Sequence, residues 1–158
     1  RFLECAREVH AQLGAGIDYD ELIIDNACMQ LVRDPSAFDI LLLENLYGDV
    51  ISDLCAGLVG GLGVVPGANI GDGCAVFEAV HGSAPDLAGK GLANPLALIM
   101  SGVMMLNHLG ETDAATRIKT AYDRVLRDAD PREITRDIGG QGTTASFADA
   151  IIRRMESA

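Results

Sequence analysis

The sequence of 158 residues has no tryptophan, and aromatic residues make up only 4% of it. Basic residues are also scarce, since 12 Lys and Arg stand against 23 Asp and Glu and give a formal net charge of −11. Nucleic-acid phosphates and anionic membrane surfaces both attract basic protein faces, so this balance argues against both as partners. An acidic chain is compatible with a site that binds a cation.

Paired cysteines and long apolar runs are also missing. The four cysteines (Cys5, Cys28, Cys55 and Cys74) form no C-x-x-C pair, which argues against zinc. Each lies among apolar residues, as is typical of buried thiols in a reducing compartment. The longest apolar stretch, 96–106, is too short to span a bilayer. We expect a soluble protein of the cytoplasm, or of the mitochondrial matrix if the source is eukaryotic.

Helix and strand patterns alternate along the chain, which predicts an α/β class. Hydrophobic residues make up 49% of the sequence, enough for a core of aliphatic side chains. Three or four strands are too few for a complete doubly wound domain, so the sequence reads as a fragment. The patterns predict helices at 2–13, 27–33, 49–59, 94–109, 112–130 and from 146 onward, and strands at 17–24, 38–43 and 74–80.

Several local patterns refine this picture. The glycine-rich stretch 60–63 lacks a phosphate-loop pattern and predicts a turn with positive φ angles. Asn94 before Pro95 predicts a capped helix start, and Ser146 with Asp149 approximates a capping box. The helix after Pro95 is apolar nearly all round, so we expect it to be buried. Its methionines then serve as core filler: Met100, Met104 and Met105.

Two aspartates, Asp49 and Asp53, are four residues apart in a segment that turns at Gly48 and then has a helical pattern. On a helix they lie on one face, where like charges repel. One interpretation is a divalent cation such as Mg²⁺, which takes carboxylate ligands. The other is that Asp49 caps the helix and Asp53 is a solvated surface charge. Spacing alone favours the second interpretation.

Three motifs together resemble the β-decarboxylating family of isocitrate and isopropylmalate dehydrogenases. They are residues 25–29 (DNACM), 45–53 (NLYGDVISD) and 77–86 (FEAVHGSAPD), the last followed by Asn94-Pro95. The resemblance implies the α/β/α sandwich of these dehydrogenases, incomplete because the sequence matches only the C-terminal half. It further implies that residues 1–59 end the smaller, dimer-forming domain and that 60–158 are the returning part of the larger, cofactor-binding domain.

The resemblance also implies a metal site and a cofactor site. Asp49 and Asp53 match ligands of Mg²⁺ or Mn²⁺ in one subunit of a homodimer, and Asp25 matches the ligand that reaches across from the other subunit. Asp86 matches an acid that accepts hydrogen bonds from ribose hydroxyls and repels a 2′-phosphate, which favours NAD over NADP. The residues that match cofactor contacts are Glu78, His81, Gly82, Ser83, Ala84, Asp86, Asn94 and Asp137.

The implied activity is the metal-dependent oxidative decarboxylation of isocitrate, a small hydroxy acid, to 2-oxoglutarate and CO₂, with hydride transfer to NAD, as in the tricarboxylic acid cycle. The stretch 60–71 is more similar to isocitrate or homoisocitrate enzymes than to isopropylmalate enzymes. Two alternatives stay open: a different substrate, 3-isopropylmalate or homoisocitrate, and a non-catalytic regulatory subunit. The family's catalytic Lys and Tyr have no match here and are expected upstream, so we assign no catalytic residue and expect the chain alone to be inactive.

Overall fold

A computed structural model describes residues 1–156, and the chain divides into two compact units, Arg1–Cys55 and Ala56–Ala158. The roles predicted for residues 1–59 and 60–158 stay predictions. Among the described residues, no helix is both long enough and apolar enough to cross a membrane. The eight elements used below are α1 (Phe2–Leu13), α2 (Ile24–Arg33), α3 (Asn45–Val59), β1 (Pro66–Ile70), β2 (Ala75–Ala79), α4 (Leu96–His108), α5 (Thr112–Asp128) and α6 (Thr144–Glu156).

The first unit contains α1, α2 and α3 as far as Cys55, and its connecting segments are irregular apart from a 3₁₀ turn at Pro35–Ala37. The predicted bounds of α1 are confirmed, but the strands predicted at 17–24 and 38–43 are wrong. A strand requires a neighbour for its backbone hydrogen bonds, and no strand lies among the described residues of this unit. Several apolar side chains of these segments remain in solvent, with Ile23 75% and Ile40 89% exposed.

Helix α3 begins earlier than predicted. It starts at Asn45 and runs through Gly48, so the predicted turn at that glycine is wrong. The N–H of Gly48 donates to the carbonyl of Glu44 at 2.7 Å, and a Cβ at position 48 would meet only Leu43, at 3.9 Å. Glycine costs a helix interior about 1 kcal/mol relative to alanine, which the continuous apolar stripe of this helix can offset.

The second unit contains a two-stranded antiparallel sheet. Strand β1 pairs with β2 in a register that runs from Pro66 opposite Ala79 to Ile70 opposite Ala75. The prediction of β2 is confirmed, whereas β1 was missed because its proline and glycine are rare in strands. The predicted glycine turn before β1 is confirmed at Gly60 and Gly61, whose φ angles are +123° and +110°.

The core of the second unit is formed by α4, α5, α6 and the segment 129–143. Helix α4 packs against both strands and against α5. Its predicted all-round burial is wrong because these neighbours cover only part of its circumference. Met100 packs against the core, but Met104 and Met105 are exposed, so only one of the three predicted filler methionines is confirmed. The buried core residues are Leu96, Val103, Ala115, Ala121, Tyr122, Val125, Ile134, Phe147, Ala150 and Ile151.

Helix α6 has a different cap from the one predicted. The Thr143 N–H donates to Ser146 Oγ at 2.7 Å, and the Ser146 N–H donates to Thr143 Oγ1 at 3.1 Å. The reciprocal cap is therefore Thr143 with Ser146, and the predicted pair of Ser146 with Asp149 is wrong. The difference arises because α6 begins at Thr144, so Ser146 lies inside its first turn.

An ion-pair network joins α6 to the end of α5 and to the segment 129–143. Arg154 donates to Asp128 Oδ2 at 2.9 Å and to Glu133 Oε2 at 2.8 Å, and Arg153 donates to Glu133 Oε1 at 2.8 Å. The hydrogen bond from Arg154 holds the pKa of Glu133 below its usual value. The network fixes one end of the segment that carries Asp137, a predicted cofactor residue.

Candidate metal and cofactor sites

Asp49 and Asp53 are exposed on α3, one turn apart. The interpretation of Asp49 as a helix cap is wrong, because α3 begins at Asn45 and Asp49 lies inside it. Its carbonyl accepts a hydrogen bond from Ser52 Oγ at 2.9 Å. Two carboxylates on one face of a helix repel by a few tenths of a kcal/mol, about 0.2 to 0.5. A cation between them would remove that cost.

Asp25 is exposed in the first turn of α2, where its charge suits the positive end of the helix dipole. Its Oδ1 accepts from the Asn26 N–H at 2.6 Å. Among residues 1–156, no three His, Cys, Asp or Glu side chains come together as a metal-binding group. Within one chain, Asp49 and Asp53 therefore share a face of α3, whereas Asp25 lies on α2 and does not join them. These oxygen donors have the hard character that Mg²⁺ and Mn²⁺ prefer.

Glu78 is exposed on β2, and two residues that sequence reasoning missed hold it there. Asn69 Nδ2, from β1, donates to Glu78 Oε1 at 2.8 Å. Ser101, which is buried in α4, donates to the Glu78 carbonyl at 2.7 Å and accepts from the Gly67 N–H at 3.4 Å. A lone serine inside an apolar helix was the available clue, since a buried hydroxyl needs a partner.

The loop from His81 to Asp86 follows β2 and is exposed along its whole length. His81 Nδ1 lies 3.0 Å from the Gly82 carbonyl oxygen. Ala84 has a left-handed backbone with φ of +41°, a conformation that costs an L-residue about 1–2 kcal/mol. The Leu87 N–H donates to the Ala84 carbonyl at 2.8 Å and closes a short 3₁₀ turn that presents Asp86 to solvent. Strained loops of this kind cluster at binding sites.

Asn94 and Asp137 are 43 residues apart in sequence and form a direct hydrogen bond, from Asn94 Nδ2 to Asp137 Oδ2 at 2.8 Å. Asn94 is 8% exposed, and its Oδ1 accepts from the Leu96 N–H at 2.9 Å. The predicted capping role of Asn94 is therefore confirmed. Within residues 1–156, no hydrogen bond joins this pair to the loop His81–Asp86. Of the eight predicted cofactor residues, Asn94 and Asp137 are therefore two that the structure joins by a hydrogen bond between side chains.

An α/β chain with paired carboxylates on α3 and an acidic loop after a hairpin fits the predicted class of dehydrogenase. The sequence model of isocitrate/isopropylmalate dehydrogenases matches residues 1–151, and the chain belongs to this family. The resemblance is thereby confirmed.

Three relatives place the chain within the family. It is 56% identical over 151 residues to the mitochondrial catalytic subunit 5 of NAD isocitrate dehydrogenase from Arabidopsis thaliana, covering 95% of this chain and 40% of that protein. It is 51% identical over 156 residues to isocitrate/homoisocitrate dehydrogenase of Thermus thermophilus, covering 99% and 46%. The solved isocitrate dehydrogenase of Methylococcus capsulatus superposes with a TM-score of 0.92 at 51% identity, covering 98% and 45%.

The solved relative confirms the predicted fold class. The chain spans less than half the length of each of these three relatives. It therefore carries part of the isocitrate dehydrogenase fold, in which a small sheet accompanies mostly helical structure.

Proposed function

We propose that these residues form the C-terminal part of an NAD-dependent isocitrate dehydrogenase that oxidises isocitrate and releases CO₂. The observation that carries the proposal is the 56% identity to a catalytic NAD isocitrate dehydrogenase subunit across 95% of the chain. The presence of Asp25, Asp49 and Asp53 supports a catalytic role over a regulatory one, because a subunit without turnover has no need of a complete ligand set. A second substrate, homoisocitrate, is favoured by the name of the Thermus relative.

In this proposal, Asp49 and Asp53 of one subunit hold Mg²⁺ or Mn²⁺, and Asp25 of a second copy closes the site in a homodimer. The exposure of all three carboxylates supports it, since each is accessible to an ion and to another chain. When bound, the ion supplies Lewis-acid stabilisation of negative charge on the substrate oxygen. The chain's own contribution is to hold two carboxylates one turn apart on a rigid helix.

The second unit binds NAD in this proposal. The exposed Asp86 accepts hydrogen bonds from the ribose hydroxyls of the adenosine half and repels the 2′-phosphate of NADP. The backbone and small side chains of 81–84 allow close approach of the dinucleotide. Asn69 orients Glu78, which precedes the loop in sequence, and Asp137 orients Asn94, which follows it. Both oriented side chains supply polar groups in fixed positions.

The proposal also assigns roles to the two parts of the chain. Residues 1–59 form the end of the smaller domain and the homodimer contact, and 60–158 complete the cofactor-binding domain. The mitochondrial names of the plant and mammalian relatives support the mitochondrial matrix if the source is eukaryotic, and otherwise we propose the cytoplasm. Both compartments are reducing, which suits four free cysteines.

The test is a substrate comparison on the full-length enzyme. With NAD and Mg²⁺, we expect isocitrate to give the highest kcat/KM among isocitrate, homoisocitrate and 3-isopropylmalate, and we expect a chelator to abolish turnover. A preference for 3-isopropylmalate would overturn the substrate assignment, and no turnover with any of the three would favour the regulatory subunit. The 158-residue chain alone should be inactive because no catalytic Lys or Tyr is assigned within it, so turnover by the chain alone would contradict its assignment as a fragment.

A further inference from the structure

The side-chain amide of Asn94 has a fixed orientation. Its oxygen accepts from the Leu96 N–H at 2.9 Å, and its nitrogen donates to the Asp137 carboxylate at 2.8 Å. Rotating the amide by 180° would place donor against donor at Leu96 and acceptor against acceptor at Asp137. Neither arrangement forms a hydrogen bond, so the two partners together select one orientation.

A hydrogen-bond donor of this amide remains for a ligand. The nitrogen has two hydrogens, and only one of them is used by a partner within residues 1–156. The amide oxygen has two lone pairs, and one of them accepts from the Leu96 N–H at the start of α4. Asn94 can therefore offer a ligand a side-chain donor, which requires an acceptor atom on the ligand. Adenine ring nitrogens are acceptors, whereas the adenine amino group is a donor.

Gly63 leaves the space in which this pair forms. A Cβ at position 63 would lie 2.9 Å from Asp137 Oδ2 and 3.1 Å from Asn94 Cβ. Both distances are shorter than ordinary contacts, so a methyl group there would displace the carboxylate or the asparagine. The role of Gly63 differs from that of Gly60 and Gly61, since its backbone has no positive φ and the constraint is steric.

We propose that Asp137 and Gly63 are positioning residues for NAD binding, which act by holding the Asn94 amide with its remaining N–H available to a ring nitrogen of the adenine. This inference rests on the proposed NAD site and goes beyond it in two respects. Asp137 acts through Asn94 and does not touch the nucleotide. Gly63, which the sequence predicted only as part of a glycine-rich turn, belongs to the same arrangement.

The test measures the Kd for NAD by isothermal titration calorimetry without isocitrate, and then KM for NAD, KM for isocitrate and kcat, in the full-length enzyme with saturating Mg²⁺. In Asp137→Ala the amide loses its anchor, and we expect KM for NAD to rise about tenfold, with kcat and KM for isocitrate changed less than about twofold. Asp137→Asn keeps an acceptor for Asn94 and should recover most of the lost affinity. Asp149→Ala removes an exposed carboxylate from α6 and serves as the matched control, with KM for NAD unchanged.

A double variant tests the steric part. Gly63→Ala alone should raise KM for NAD about as much as Asp137→Ala, because the added methyl group displaces the same pair. Once Asp137 is alanine, the closest atom that this methyl would meet, Asp137 Oδ2 at 2.9 Å, is gone, and Asn94 is free to shift away from the methyl. The double variant should therefore raise KM for NAD by no more than about tenfold. If the two substitutions acted independently, their effects would multiply and raise KM for NAD by about a hundredfold.

Three results would overturn the inference. In the first, Asp137→Ala leaves KM for NAD unchanged, as the Asp149→Ala control does. In the second, Asp137→Asn raises KM for NAD as much as Asp137→Ala does. In the third, Asp137→Ala impairs both KM values and kcat to the same extent. The first excludes a role, the second indicates that charge and not the hydrogen bond matters, and the third indicates a general loss of structure. If the unsubstituted enzyme bound no NAD, the proposed function would be overturned together with the inference. If the unsubstituted enzyme is NAD-dependent, any of the three results overturns only the inference.

Discussion

Asp49→Asn in the full-length enzyme is expected to raise the Mg²⁺ concentration for half-maximal activity by about a hundredfold. The substitution keeps the size of the side chain and replaces a charged oxygen ligand with a neutral amide, which hard divalent ions bind more weakly. A hundredfold change corresponds to about 2.7 kcal/mol of binding free energy, a reasonable loss for one charged ligand. The measurement is initial rate against free Mg²⁺ at saturating isocitrate and NAD.

Stability separates this effect from unfolding. Asp49 and Asp53 repel each other along α3, so Asn at position 49 should leave the free energy of unfolding unchanged or raise it by about 0.2–0.5 kcal/mol. Loss of metal affinity in a protein that is no less stable identifies a ligand. Asp39→Asn, an exposed carboxylate of the same unit outside the proposed site, provides the control. Unchanged Mg²⁺ dependence in Asp49→Asn would identify Asp49 as a surface charge.

Phe147→Ala is expected to lower the free energy of unfolding of the second unit by about 3–5 kcal/mol. Phe147 on α6 is 0% exposed and packs in a core with Leu96, Tyr122 and Val125, from α4 and α5. Removing the ring loses its buried surface and leaves a cavity that three rigid helices cannot close. Equilibrium urea unfolding followed by far-UV circular dichroism provides the measurement, since the chain has no tryptophan.

Ile152 on the same helix is the matched control for this substitution. Its side chain is 51% exposed, so Ile152→Ala also removes apolar atoms, but from a site that solvent already reaches. We expect it to cost less than about 1 kcal/mol. If both substitutions had the same effect, helix propensity and not core packing would explain the result for Phe147.

Local sequence patterns predicted the helices and one strand because those elements depend on contacts near in sequence. Helix α1 and strand β2 follow their apolar periods, and Asn94 caps α4 through a partner two residues away. The predictions of strands at 17–24 and 38–43 were wrong because a strand there would depend on a partner that is distant in sequence. An apolar run becomes a strand only when another strand accepts its backbone hydrogen bonds, and no pattern within the run indicates whether one is present.

The candidate sites divide in the same way. Family motifs predicted Asp25, Asp49 and Asp53 as metal ligands, but the start of α3, which excludes Asp49 as a cap, required the structure. The contact between Asn94 and Asp137 spans 43 residues and depends on how α4 packs against the segment that follows α5. Sequence reasoning placed both residues at the cofactor through the resemblance and had no means of predicting that they touch.

A shared metal site is the central claim, and a mixed dimer of Asp25→Asn and Asp49→Asn subunits tests it most directly. Two differently tagged full-length subunits can be co-expressed and the mixed dimer isolated through both tags. If Asp25 of one subunit completes the site of the other, the mixed dimer has one intact site and one site with both substitutions. Its activity at limiting Mg²⁺ should then be about half that of the unsubstituted dimer, although each variant homodimer is nearly inactive. Activity no higher than that of the variant homodimers would contradict a site built from two subunits.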